Sequence, residues 1–302
     1  MKATQQQVAD GADTFQRTGS TRGLLVKTRS IETVFAYGLL AIFSIVMLFP
    51  IAWLISSTFK SRADLFVLPP QWIPLRPTLA NFQTVLGYEA IRTYALNSIV
   101  ISTATTALCI ILASLAGYSL SRYRFPGRDS VMIFLLATQM FPLVMFLIPL
   151  YRLWNQLHIS NTLLSLILTY LSVALPLTIW LMKSFFDTIP VDLEEAAMVD
   201  GCSRWGALWR IVFPLAAPGI MASGLFAFLV SWDEYMYTFT LISDDKLRTL
   251  PVGLVLRYFG QFSYDWDQIM TLSLLMSLPI MLLFTVFQKY LLQGLTAGAV
   301  KG

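Results

Sequence analysis

Residues 184–218 read Ser-Phe-Phe-Asp-Thr-Ile-Pro-Val-Asp-Leu-Glu-Glu-Ala-Ala-Met-Val-Asp-Gly-Cys-Ser-Arg-Trp-Gly-Ala-Leu-Trp-Arg-Ile-Val-Phe-Pro-Leu-Ala-Ala-Pro, a long polar interruption in a strongly apolar chain. A simple connection between two membrane spans needs neither this length nor this pattern. Asp192 followed at the third place by Glu195 has the form of a capping box, and Gly201 is a natural stop. The spacing therefore predicts a helix of about two turns over Leu193–Asp200. Ala196, Ala197 and Gly201 leave its backbone approachable, which suits a short helix that seats in another protein's cleft while acidic side chains fix its orientation. The same spacing also fits a helix in which Glu195 merely caps its own first turn and the alanines only reflect propensity. From Ser203 onward, Trp205, Leu208, Trp209 and Val212 recur at i, i+3, i+4 and i+7, with Arg204 and Arg210 off that stripe. This predicts a second helical piece lying on the membrane surface.

The chain around this segment is a membrane protein by composition. Of its 302 residues 56% are hydrophobic and only 13% charged, with a mean hydropathy of +0.66; soluble domains carry roughly a quarter charged residues. About six apolar stretches, around 34–58, 94–120, 131–152, 163–183, 215–242 and 267–291, approach the roughly 20 residues that span hydrocarbon. The fifth is the least uniform. Residues 59–93, with Pro69, Pro70, Pro74 and Pro77, are too polar and broken to span and read as an external excursion with short helical pieces. Residues 1–30 are polar and read as a cytoplasmic tail, not a cleavable signal peptide. With that tail inside, six spans place 13 of the 21 lysines and arginines inside and 8 outside, so both termini and the 184–214 loop are expected to be cytoplasmic. The expected fold class is an all-α membrane protein of about six transmembrane helices.

Glu195-Ala196-Ala197, Gly201, Ile211 and Pro214 resemble the "EAA … G … I-x-L-P" signature of permease subunits of bacterial binding-protein-dependent ABC importers. Phe213 stands where that signature usually has Leu. Arg122-Tyr123-Arg124-Phe125-Pro126-Gly127, Gln139-Met140-Phe141-Pro142 and the terminal Gly294-Leu295-Thr296-Ala297-Gly298-Ala299-Val300-Lys301-Gly302 are similar to the maltose-type, carbohydrate-uptake branch. The resemblance runs from about residue 31 to the end. It implies a permease domain over 31–302 in which the 184–214 loop docks on an ATPase subunit through Glu195, Ala196, Ala197, Asp200, Gly201 and Pro214. It also implies a tail, 294–302, that reaches into the ATPase pair with Thr296, Ala297, Gly298 and Lys301; without the resemblance a frayed end is the simpler reading. The implied partners are a homologous second permease, two ATPase subunits holding ATP and Mg, an extracytoplasmic sugar-binding protein and the lipid of a bacterial inner membrane.

Other chemistries find little support. No Gly-x-x-x-x-Gly-Lys-Ser/Thr loop occurs, so ATP hydrolysis by this chain is not expected and no cofactor is expected on it. His158, the one histidine, reads as a loop residue. Cys109 and Cys202 form no disulfide or metal pattern. The net charge of +4 is spread along the chain, which fits membrane orientation and not nucleic acid. An intramembrane enzyme would need a nucleophile–base set that is not evident. A self-sufficient secondary carrier or channel would need its own coupling-ion acids in several spans, whereas the acids here cluster in loops and at 233–234.

Those two acids sit in Ser231-Trp232-Asp233-Glu234-Tyr235. Read as a continuous helix from Pro218, the segment places Asp233 about 22 Å along a hydrocarbon core about 30 Å thick. Carboxylates beside an aromatic ring are what a sugar path offers, so Trp232, Asp233, Glu234 and Tyr235 are candidates for it; the alternative is an outer interface among belt aromatics. Asn97, Gln139, Tyr170, Ser172, Ser231, Ser273 and Ser277 are further polar candidates, each of which could equally be a helix–helix hydrogen bond.

Overall fold

The computed structural model describes residues 33–259 and 264–299, with side chains to Tyr290. The expected tail at 1–30 lies outside the described residues. One unit holds helix α1, Thr33–Thr58, a 26-residue apolar helix of about 39 Å, long enough to cross a bilayer by itself.

The second unit, from Thr58, is built of helices, and among its described residues there is no named strand. The short helical pieces expected in 59–93 are α2 (Arg62–Leu65) and α3 (Ala80–Gly87), which lead into α4; that helix begins at Glu89, five residues before the expected span. The Asn81 amide donates to the carbonyls of Thr58 and Lys60 at 3.0 and 2.9 Å and so gathers the loop onto α3. Helix α4, Glu89–Arg122, has 34 residues and about 51 Å of length against a core of about 30 Å. At least one of its ends must therefore project beyond the hydrocarbon or the helix must tilt.

α4 packs along α7, Leu163–Thr188, and both lie against α11, Ala217–Trp232. The contact is made close by small residues. A Cβ on Gly117 would stand 2.9 Å from Met182 Cβ and from the Lys183 backbone nitrogen, so only glycine fits there. Along α4 the buried positions Ser98, Ser102, Thr105, Cys109 and Ala113 form one stripe at helical spacing. Cys109, Ala174 and Ala227 form the middle of the bundle, and larger cores lie towards either end. α14, Trp266–Ala299, closes the unit against α11 and carries Pro279 within it. Both cysteines are free thiols.

Four helices are long and apolar enough to span, or up to six if two bent pairs each count as one. The first bent pair is the expected third span. α5, Arg128–Thr138, is followed by a short 3-10 turn at Leu143–Phe146 and by α6, Leu147–Gln156, with a 93° bend between the halves. Pro142 at the bend cannot continue α5 and pushes Phe141 out of helical conformation. The second bend, 75°, separates the 204–215 segment from α11.

The expected fifth span is not continuous. α11 stops at Trp232, and α12, Met236–Leu241, starts a new direction. Glu234 makes the break, since its carboxylate accepts from the backbone N–H groups of Tyr237 at 2.8 Å and Thr238 at 3.2 Å, which caps α12 instead of extending α11. After a 3-10 turn at Asp245–Leu247 the chain forms α13, Leu250–Tyr258. Burial pushes the Tyr258 hydroxyl up to about 12.

Candidate functional site

The short helix of the polar segment is α8, Asp192–Val199. The expected capping box does not form. Val191 already has helical angles, φ −65 and ψ −31, and makes no side-chain cap, so Asp192 falls inside the first turn. Pro190 explains this, because its carbonyl accepts from Leu193 N–H and starts the turn before Asp192 is reached. Asp192, Glu194 and Glu195 still crowd the first turn, where the helix dipole favours negative charge. The stop is as the sequence indicated. Gly201 has φ +89, its N–H bonds to Met198 O, and Cys202 N–H bonds to Ala197 O at 2.9 Å, the paired bonds of a Schellman motif.

The two adjacent glutamates of α8 point to different sides. Glu194 is 5% exposed and turned to the bundle; Glu195, Ala196, Asp200 and Gly201 are exposed, and Val199 is 87% exposed. Ala197 is buried against the protein, so the expected approachable face narrows to Ala196 and its neighbours. Glu194 meets the end of α4: Arg122 Nε donates to Oε1 at 2.6 Å, and the Tyr118 hydroxyl donates to Oε2 at 2.7 Å. Arg122 Nη2 also donates to Ile189 O at 3.0 Å. With side-chain exposures of 9% and 7% this ion pair is buried, and removing one partner of such a pair typically costs about 3–5 kcal/mol. The sequence reading missed Glu194, Arg122 and Tyr118 as a group. The available signal was two consecutive acids on one helix, which lie about 100° apart around the axis and so cannot both face the same partner.

Beyond α8 the surface segment consists of α9 (Arg204–Ala207), a π turn at Leu208–Val212 and α10 (Phe213–Leu215). Ser203 caps it, with Oγ accepting from Gly206 N–H at 3.1 Å. The expected apolar stripe splits. Leu208 and Val212 are buried in the bundle, while Trp205 and Trp209 are exposed, the latter stacked on Phe213 at 4.4 Å. Widening to a π turn breaks the 3.6-residue period on which the stripe was counted. Pro214 is exposed in α10. Thr296, Ala297 and Gly298 lie in the helical backbone of α14, which runs to Ala299; Lys301 lies outside the described residues.

The 232–235 residues separate. Trp232 is 2% exposed, stacks on Phe228 and donates its indole N–H to Met276 O at 3.1 Å, so its ring is a core group and not an open stacking surface. Glu234 is the α12 cap and accepts from the Tyr170 hydroxyl at 2.8 Å; Tyr170 is 1% exposed and also meets Thr238 Oγ1. Asp233 and Tyr235, by contrast, line a cavity of about 350 Å³ together with Ser273, Ser277, Pro251 and Met276. Four of the polar residues singled out in the sequence are thereby brought together from two distant segments. The others serve the framework. Asn97 donates to the carbonyls of Lys246 and Arg248 at 2.8 and 2.9 Å, Ser231 Oγ bonds back to Ala227 O, and Ser172 Oγ to Thr169 O. Gln139, at the 93° bend, donates to Val173 O at 3.1 Å, one turn before Pro176 of α7. Among the described residues no cluster of three or more His, Cys, Asp or Glu could hold a metal ion.

An all-helical unit with a two-sided short helix at one end of its longest spans is the architecture of a transporter's membrane subunit, and the comparisons agree. The family model of the binding-protein-dependent transport system inner membrane component matches residues 109–297, and this chain belongs to that family. It is 39% identical over 255 residues to the sulfoquinovosyl glycerol transport system permease protein of Agrobacterium fabrum, covering 84% of this chain and 89% of that one. It is 35% identical over 261 residues to the trehalose/maltose transport system permease of Thermococcus litoralis, with 86% and 93% covered. To a diacetylchitobiose uptake system permease of Streptomyces coelicolor it is 33% identical over 256 residues, with 85% and 92% covered. In fold it is similar to a chain of a bacterial ABC transporter involved in import of the polysaccharide alginate, with a TM-score of 0.74 at 22% identity over 86% of this chain and 96% of that one. The protein is a multi-pass membrane permease and not an enzyme family member.

Proposed function

We propose that this chain is one of two homologous transmembrane subunits of an ATP-driven importer that receives a carbohydrate, an oligosaccharide or sugar derivative, from an extracytoplasmic binding protein. ATP and Mg would be held by two separate ATPase subunits. The exposed face of α8, with Glu195, Ala196, Asp200 and Gly201, is the surface offered to one of them, and the segment from Gly294 through Thr296, Ala297, Gly298 and Lys301 reaches into the ATPase pair. Both termini and α8 are then on the cytoplasmic side of a bacterial inner membrane. Substrate class is supported by the relatives, whose names specify sulfoquinovosyl glycerol, trehalose or maltose, and diacetylchitobiose, all sugars or glycosides.

The observation that carries the reading is the outward presentation of α8 from a buried anchor, in a chain of this family. Motion of a docked ATPase would pass to the spans as rigid-body displacement. Asp233 and Tyr235, with Ser273 and Ser277, supply the carboxylate, ring and hydroxyls that a polyhydroxylated ligand needs along its path. The test is reconstitution of the chain with a second permease, an ATPase and a binding protein from the same organism, using labelled trehalose, maltose and diacetylchitobiose as probes. Uptake should require ATP inside the vesicle, binding protein outside, and this chain. Uptake by this chain alone, driven by an ion gradient without ATP, would instead establish a secondary carrier.

A further inference from the structure

α8 is joined to α7 only through Ile189–Val191, a connection with a proline in it and no helical bonding across it. A two-turn helix on such a joint could swing without moving the spans. Arg122 bonds to both sides of the joint at once: Nη2 donates to the Ile189 carbonyl on the α7 side, and Nε donates to Glu194 within α8. Tyr118, one turn earlier on α4, holds the other oxygen of the same carboxylate. Ser121 adds a bond from α4 to Asp187 at 2.6 Å, which Lys183 also pairs. A buried ion pair is seldom the most stable filling of a site, since apolar side chains of similar volume commonly do as well or better. Its distinguishing property is direction, because two charged groups with matched hydrogen bonds fix one geometry.

We propose that Tyr118, Arg122 and Glu194 are positioning residues that lock α8 to α4, so that α8, α7 and α4 move as one body when α8 is displaced. This rests on the reading of α8 as the ATPase-contacting helix. Without the lock, displacement of α8 would be absorbed in the Ile189–Val191 joint, and ATP would be hydrolysed with less transport. Energetic coupling of this kind is carried by hydrogen-bonded and packed groups, and is worth roughly 5- to 150-fold.

The experiment uses the reconstituted transporter with Cys109 and Cys202 replaced by serine. Glu194→Gln keeps the shape of the side chain and removes its charge. It should leave ATPase co-purification intact and raise ATP hydrolysed per sugar imported by about fivefold or more. Tyr118→Phe, which removes one hydroxyl, should raise the ratio less and covers the case in which Glu194→Gln fails to assemble. Spin labels at Val199→Cys on α8 and Leu112→Cys on α4 should give a distance unchanged by ATP in the otherwise unmutated transporter, and a broadened or shifted one in Glu194→Gln. An unaltered ratio and an unaltered distance in both single variants overturn the proposal. Failure of a cysteine at 199 to cross-link to the ATPase in the unmutated background overturns the underlying reading of α8, a result separate from the behaviour of the ion pair.

Discussion

Gly201 and Asp233 show how differently single residues bear on such a protein. A Cβ at Gly201 would meet nothing within 4 Å, so the restriction comes from its φ of +89 and not from crowding. Alanine there should cost about 1–2 kcal/mol of backbone strain at the end of α8. We expect Gly201→Ala to lower uptake several-fold at unchanged membrane level, and Gly201→Asn, which tolerates positive φ, to lower it less; equal losses in an uptake assay would locate the requirement in the surface and not in the turn. Asp233 is exposed into the 350 Å³ cavity. Losing a charged hydrogen bond to a hydroxyl costs about 1.5–3 kcal/mol, so Asp233→Asn should weaken apparent affinity roughly 10- to 150-fold while binding protein still stimulates the ATPase. Single cysteines at 233 and 235 should be labelled by a water-soluble reagent and protected by transported sugar; labelling without protection by any transported sugar would remove Asp233 and Tyr235 from the path. Trp232 would behave otherwise. Its truncation to alanine empties a core site and should reduce the amount of folded protein, a loss of about 3–5 kcal/mol.

Among the elements, those with one uninterrupted apolar run were legible from the sequence, and those shaped by a single competing residue were not. α1, α4, α7 and α14 follow from length and hydropathy. The bend after α5 required weighing Pro142 against the apolar run around it, and the end of α11 required knowing that Glu234 would cap the next helix in place of extending the last. In the surface segment a counted stripe failed because a π turn altered its period. α14 extends past the expected end of the sixth span to Ala299. At this scale we expect removal of Thr296–Gly302 to reduce stimulated ATP hydrolysis more than co-purification of the ATPase subunits. Intact stimulated hydrolysis in the shortened protein would assign the segment no part in the ATPase contact.

For the molecule as a whole, class and family were readable because membrane composition and the 195–214 signature are both local in sequence. The joining of distant parts was not. Asp233 and Tyr235 meet Ser273 and Ser277 only after α11, α13 and α14 have packed, and Arg122 meets Glu194 across 72 positions of chain. Periodicity and spacing report on neighbours along the chain, so contacts of that separation lie outside their reach. The division of labour between the two glutamates of α8 bears on how such transporters can be rebuilt. Glu194 belongs to the inside of this protein, while Glu195, Ala196 and Val199 are turned outward. On the proposed role of α8, its outward positions can be exchanged for those of another permease, to fit a foreign ATPase, without disturbing the inward ones. A chimera that transplants the entire helix would carry a mismatched carboxylate into the end of α4, whereas one that transplants only its outer face would leave the recipient's own frame in register.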